Sequence, residues 1–243
     1  MRQEKSDEMF LEWSKDRSEK SWDTQFIAEL IKIRNLSHGL DVGGGIGTFA
    51  NSILNLNEEI KSIDVVDPSE QAHSNFTTHK RSNLIKGYMS NIEDGKSYGF
   101  ITINLVCHHI ISHQNMDTLE AQINFLKDAR SLLEDQGVLI IEENIYESYL
   151  LEDLCARLIY EITSLRGIEK ITRKLGANTA GEGVRFHSDA AWQKIFTKSG
   201  FKVIQTHDNL AWGSGMPIWQ KIPLLCKSRY QKIYILQKDS RHQ

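Results

Sequence analysis

The run LDVGGGIGTF, residues 40–49, constrains this chain more than any other stretch. Gly43, Gly45 and Gly47 alternate between a hydrophobic, strand-like run and TFANSILNL, whose apolar positions recur at helical spacing. A strand that stops on glycines and passes at once into a helix lets backbone approach a ligand closely, while the helix start offers unpaired amides. Further on, IKSIDVVD is a second β-branched run and ends on Asp67. A carboxylate at that place can accept both hydroxyls of a ribose. Loop and acid together predict an adenosine-containing ligand. A purely structural glycine turn would leave Asp67 unexplained.

The rest of the chain repeats the same alternation. NLIKGYM, FITINLV and GVLIIEE read as three more strands, and DTLEAQINFLKDARSLLED as an amphipathic helix closed by Gln136-Gly137. FKVIQTHD and QKIYILQK supply two strands near the end, after the helix DAAWQKIFTKSG. Strands alternating with helices imply an α/β fold, a doubly wound, seven-stranded and mostly parallel sheet with right-handed crossovers. Its binding sites fall at the C-terminal strand ends. Residues 1–35 read as N-terminal helices. Residues 146–186, helical up to the glycine-rich GANTAGEG, read as a helical lid inserted into a single domain spanning 1–243.

The loop chemistry narrows the ligand. A dinucleotide fold wants a third glycine where this chain has Thr48, so that a pyrophosphate can lie across the turn. Asp41, beside the glycines, would repel a pyrophosphate but suit an ammonium group. S-adenosylmethionine carries an amine, a carboxylate and a sulfonium and no phosphate, so it fits better.

At this point the chain resembles the class I S-adenosylmethionine-dependent methyltransferases of small-molecule type, over roughly residues 35–145 and again over 186–238. The family's acid-x-G-x-G-x-G motif is similar to Asp41 through Gly47, and its ribose-binding acid to Asp67. The resemblance implies cofactor contacts from Asp41, Gly43, Gly44, Gly45, Asp67 and Pro68. It places Met89 and Ser90 on the adenine side and Asn104 beside the methionine portion. YGFITINLVCHHI looks like the fourth family motif, with Gly99 where an aspartate is usual and Tyr88 where many relatives carry another. The last two strands resemble the antiparallel hairpin that separates this family from dinucleotide folds.

The alignment puts His108 and His109 just past the fourth strand, near the reactive end of the cofactor, with His113 outside the site. Three roles are open to these histidines: metal ligand, packing, or, for His109, a general base that takes a hydroxyl proton. No HExxH motif or neighbouring carboxylate completes a metal site, so none is expected. Glu142-Glu143 end the fifth strand, where alternation lets one of them point inward, to orient His109 or hold a substrate amine. VRFHSDAAW offers Arg185 for a substrate carboxylate or phosphate, His187 as a further catalytic candidate, and Ser188 or Asp189 as a helix N-cap. Trp212, Met216, Pro217 and Trp219 could wall an apolar pocket.

Composition sets the outer limits. Formal net charge is −3, which draws the chain to neither nucleic acid nor anionic membrane. The tail from Lys221 is locally basic, with Lys227, Arg229, Lys232, Lys238 and Arg241 against Asp239, and keeps an RNA or protein methyltransferase open as an alternative. A third alternative is a module that binds the cofactor without catalysis. Three scattered cysteines, no CxxC, and a charged N-terminus without an apolar core suggest a reducing, cytoplasmic setting. No run reaches the length of a membrane span. The expected partner is a small, partly apolar metabolite, with a homodimer open as an assembly.

Overall fold

The computed structural model describes residues 22–112, 117–164, 183–210 and 216–242. The expected helices before residue 22, His113, Trp212 and the glycine-rich segment as far as residue 182 lie outside the described residues. Contacts group the chain into two units, Met1–Asn104 with Ser131–Ile140, and Leu105–Arg130 with Ile141–Gln243.

In the first unit, α1 (Trp22–Ile33) leads into β1 (His38–Val42), α2 (Thr48–Leu56), β2 (Ser62–Asp67), the short α3 (Glu70–Ser74), β3 (Ser82–Lys86) and β4 (Tyr98–Asn104). β1 pairs in parallel with β2 on one side and β4 on the other, and β2 pairs in parallel with β3. Parallel strands covered on both faces read as continuous apolar runs, and Leu40, Val65, Val66, Ile101 and Ile103 are all buried. α1 contributes Ile27 and Ile31 to the core, and α2 contributes Phe49, Ala50, Ile53 and Leu54. At Gly39 a Cβ would lie 2.2 Å from the Phe100 ring of the adjacent strand, so a glycine is what lets that aromatic fill the layer.

The chain continues through α4 (Thr118–Leu132), β5 (Leu133–Ser148), α5 (Leu154–Ser164), α6 (Asp189–Lys198), β6 (Phe201–Asn209), the one-turn α7 (Ile218–Lys221) and β7 (Cys226–Lys238). Hydrogen-bonded strand order is β3-β2-β1-β4-β5-β7-β6, with β6 and β7 antiparallel. The fold is the expected α/β sheet with its antiparallel C-terminal pair. In the second unit Trp192 and Phe196 of α6 stack at 5.6 Å, and Phe196 meets Tyr234 of β7 edge-on at 4.9 Å. These three aromatics are fully buried, as is Phe201 at the start of β6.

Two boundaries depart from the sequence reading. Gln136-Gly137 do not close α4, because β5 begins at Leu133 and runs through them. A Cβ on Gly137 would sit 2.8 Å from the Gly99 carbonyl and 2.9 Å from Leu133, so this glycine permits close backbone approach between strands. β5 also continues through Tyr146 to Ser148, and the helix expected in the lid starts only at Leu154.

Candidate functional site

In the first unit the glycine loop is clipped to the end of β2. The Gly43 amide donates to the Val66 carbonyl at 2.8 Å, and the Gly45 amide donates to Asp67 Oδ2 at 2.9 Å. The other Asp67 oxygen accepts the Ser69 amide at 2.8 Å. A carboxylate has about four lone-pair sites, so two amides leave acceptor capacity for further donors. Gly45 has φ +56°, where a side chain is strained, and a Cβ there would meet nothing within 4 Å. Open space therefore faces the loop at this glycine. At Gly44 the constraint is contact: a Cβ would lie 2.4 Å from Asp41 Oδ2 and 2.7 Å from Val65. Asp41 is buried and accepts the Thr102 hydroxyl at 2.8 Å. α2 starts at Gly47 without a side-chain cap, so its first amides keep their donors.

Met89 and Ser90 form a single 3-10 turn after β3, with Met89 buried and Ser90 exposed. Pro68 is exposed just past Asp67. At the end of β4, the amide oxygen and nitrogen of Asn104 are both buried and bond to nothing among the described residues. A buried amide without partners costs free energy, and a ligand carrying both donors and acceptors would remove that cost. S-adenosylmethionine fits this set, because its amino-acid end brings an ammonium and a carboxylate and its ribose brings two hydroxyls.

The second unit is built around carboxylates and histidines. Past Leu105, itself at φ +57°, a 3-10 turn of Cys107–His109 presents the two adjacent imidazoles. Glu143 bonds His108 twice, accepting from its backbone amide at 3.2 Å and holding its ring Nδ1 at 2.8 Å. The sequence reading leaves either glutamate to orient His109 or to hold a substrate amine; in the structure Glu143 bonds His108. Nor does alternation leave one glutamate in solvent, because both faces of β5 are covered and Glu142 and Glu143 are each fully buried. His108 packs between the His109 ring at 4.2 Å and Phe186 at 4.6 Å. Burial, with His108 beside it, holds the His109 imidazole down to about 3, so it is neutral and a weak proton acceptor.

His187 is likewise fixed rather than free. Its Nδ1 lies 3.0 Å from Asp153 Oδ2 and its Nε2 lies 2.8 Å from Gln122 Oε1. Both ring nitrogens of this catalytic candidate are thus engaged within the fold. Asp153 also takes the Arg185 Nη2 at 2.6 Å and the Ser188 amide at 2.8 Å. Burial pushes the Asp153 carboxyl up, but the bonds from His187, Arg185 and Ser188 outweigh it and hold the group below the usual carboxylate range. Ser188 caps α6 by accepting the Ala191 amide, while Asp189 accepts from the buried Lys232 and Tyr234. The hub residues Asp153 and Gln122 escape a sequence reading. They lie 34 and 65 positions from His187, and no spacing rule joins them.

Two cations of the basic tail, Lys232 and Arg241, are paired with acids. Lys232 is buried and bridges Asp189 and Asp208 at 3.0 and 3.4 Å, and Arg241 pairs with Asp239 at 2.7 Å. Of the expected pocket wall, Met216 is buried in a cluster with Tyr146, Cys155 and Phe186, while Trp219 is exposed. Among the described residues no helix is long and apolar enough to cross a membrane.

A family model described as a methyltransferase domain matches residues 12–206. No curated protein matches the sequence. Among solved structures, an S-adenosylmethionine-dependent methyltransferase from Clostridium acetobutylicum aligns over 93% of this chain and 94% of its own, at 14% identity and TM-score 0.58. The mitomycin 7-O-methyltransferase MmcR aligns over 88% of this chain at 12% identity and TM-score 0.55, and this chain spans 53% of it. The O-methyltransferase NcsB1 from neocarzinostatin biosynthesis, solved with S-adenosylmethionine and 2-hydroxy-5-methyl naphthoic acid, aligns over 89% of this chain and 56% of its own, at 17% identity and TM-score 0.52. At these identities the likeness is one of fold.

Proposed function

The chain belongs to the methyltransferase-domain family, and we propose that it transfers a methyl group from S-adenosylmethionine to a hydroxyl of a small, partly apolar metabolite. The observation that carries the choice of oxygen is the buried Glu143–His108 pair. An amine can enter methyl transfer neutral, whereas a poorly ionised hydroxyl needs a base. With Nδ1–H donated to Glu143, His108 keeps Nε2 as the acceptor, and the second glutamate bond, to the backbone amide, fixes where the ring stands.

The residues divide the work. Bound S-adenosylmethionine supplies the electrophilic methyl on its sulfonium. Asp67 and the Gly43–Gly45 backbone would hold its ribose and amino-acid ends, with Asn104 satisfying its own amide on the same ligand and Met89 and Ser90 on the adenine side. His108 takes the hydroxyl proton at Nε2, Glu143 holds the resulting charge, and neutral His109 packs against the ring. His187 is a positioning residue. Transfer itself is an in-line displacement, so the remaining task is alignment and exclusion of water. The O-methyltransferase neighbours support a small-molecule acceptor.

Incubation of the chain with methyl-labelled S-adenosylmethionine and a metabolite extract, followed by mass spectrometry, tests this. Label on a hydroxyl oxygen is expected. The His108→Gln variant should lose most transfer while binding S-adenosylhomocysteine as before. Label on an amine, with His108→Gln still active, would overturn the assignment of a base.

A further inference from the structure

We propose that a cavity of the second unit is an anion subsite, in which Arg185 receives a carboxylate or phosphate group of the substrate. The cavity measures about 760 Å³. Its lining includes the buried Asp153, His187, Ile195 and Thr118 and the half-buried Arg185.

Hydrogen bonds fix the groups around Arg185. Gln122 Nε2 donates to the carbonyls of Cys107 and Arg185, at 3.0 and 3.2 Å, which fixes Gln122 Oε1 as the atom facing His187 Nε2. His187 Nδ1 faces a carboxylate oxygen of Asp153. Both ring nitrogens of His187 thus face acceptors, and the ring shares Asp153 Oδ2 with Arg185. The Arg185 guanidinium therefore has only part of one carboxylate as its counter-ion. A largely buried cation so placed has room for a second anion.

The place for that anion is also defined. Asp153 grips Arg185 at Nη2, so the guanidinium is oriented, while Nη1 is buried and has no partner among the described residues. An arginine fork with one nitrogen anchored and the other unpartnered suits a planar carboxylate or a phosphate. The rim does not bias the result, because Arg157, Lys194 and Lys198 are matched there by Asp117, Glu152 and Glu161. Leu119, Tyr160 and Ile195 add apolar wall, so the group is expected on a partly apolar body.

Calling the ligand a substrate rests on the methyltransferase reading; the subsite does not. Arginine side-chain NMR on the full 243-residue chain tests it, with titrations of benzoate, its neutral amide benzamide, and inorganic phosphate at constant ionic strength. S-adenosylhomocysteine affinity is measured in parallel. Benzoate or phosphate should shift the Arg185 Nε–Hε signal saturably, and benzamide should not. Whichever anion acts at lower concentration identifies the group. Arg185→Gln should weaken that anion about tenfold or more, the loss of a charged hydrogen bond. Should that variant fail to fold, Arg185→Lys keeps the charge and the Asp153 pair and should weaken it several-fold. Equal shifts from benzoate and benzamide, no shift from either anion, or unchanged binding in the folded variants would each overturn the subsite. Failure of the wild-type chain to bind S-adenosylhomocysteine would strike the methyltransferase reading instead, and the anion titration would still stand on its own result.

Discussion

In the first unit the acid at the end of β2, Asp67, is held by backbone amides, those of Gly45 and Ser69. In the second unit the carboxylates also hold ionisable side chains: Glu143 takes the His108 ring besides the His108 and Asn144 amides, and Asp153 takes His187 and Arg185 besides the Ser188 amide. Backbone amides carry no net charge, so these two bonds do not pair Asp67 with a counter-ion, and a ligand's hydroxyls can still approach it. The second unit's carboxylates are consumed by cations or potential cations, and what they offer a ligand is the orientation and charge of their partners. One unit therefore presents its acids and the other presents what its acids hold.

If that contrast is right, deleting an acid should cost stability in the second unit and ligand affinity in the first. The largest effect is expected for Asp153→Ala. Removing one partner of a buried charge cluster leaves the other charges uncompensated, typically at about 3–5 kcal/mol, and here His187 and Arg185 would both lose their counter-ion. Chemical denaturation reads it, and a loss below about 1 kcal/mol would show that water reaches the cluster. The pH dependence has a fixed sign. Asp153 has a folded value below its ordinary one, so its contribution is present above the unfolded value of about 3.9 and fades as pH falls through the folded value. Asp153→Asn should flatten that acid limb.

Asp67→Ala should move the other observable. Its two amides lie near the loop surface and can turn to water, so stability should fall less than for Asp153. Loss of the ribose acceptor should weaken S-adenosylhomocysteine by about 1–3 kcal/mol in calorimetry. Unchanged affinity with a large drop in melting temperature would reverse the contrast between the units.

The same contrast explains what could be read from the sequence. The sheet, the loop and the strand-end acid in the first unit are local or periodic features. A glycine between strand and helix, or an acid closing a β-branched run, keeps its meaning wherever the rest of the chain goes. TFANSILNL is a helix over those same nine residues. The second unit depends on pairs far apart in sequence, such as His108 with Glu143 and His187 with Gln122. Histidine and carboxylate both occur there in plain view, but spacing could not tell which imidazole meets which acid. His108 and His109 are neighbours with the same side chain, and only the backbone path after Leu105 decides that Glu143 reaches the first. Arg185 is a candidate anion partner in the sequence, but the bond that orients its guanidinium comes from Asp153, to which no motif points.

The smallest predicted effect marks the limit of the second unit's rule. Lys194 and Glu152 are also an ion pair of this unit, at 2.7 Å, but their side chains are 65% and 44% exposed. Water screens such a pair, and fixing two long side chains costs entropy that offsets most of the attraction. Lys194→Ala should change unfolding free energy by less than about 1 kcal/mol, and adding salt should shrink even that. The pair lies on the cavity rim, where Lys194 is balanced by acids, so the variant should also bind benzoate nearly as well as the parent chain. A loss comparable to that of Asp153→Ala would mean that charge pairing as such, rather than burial, stabilises the second unit, and the distinction drawn between buried lining and rim would fail with it.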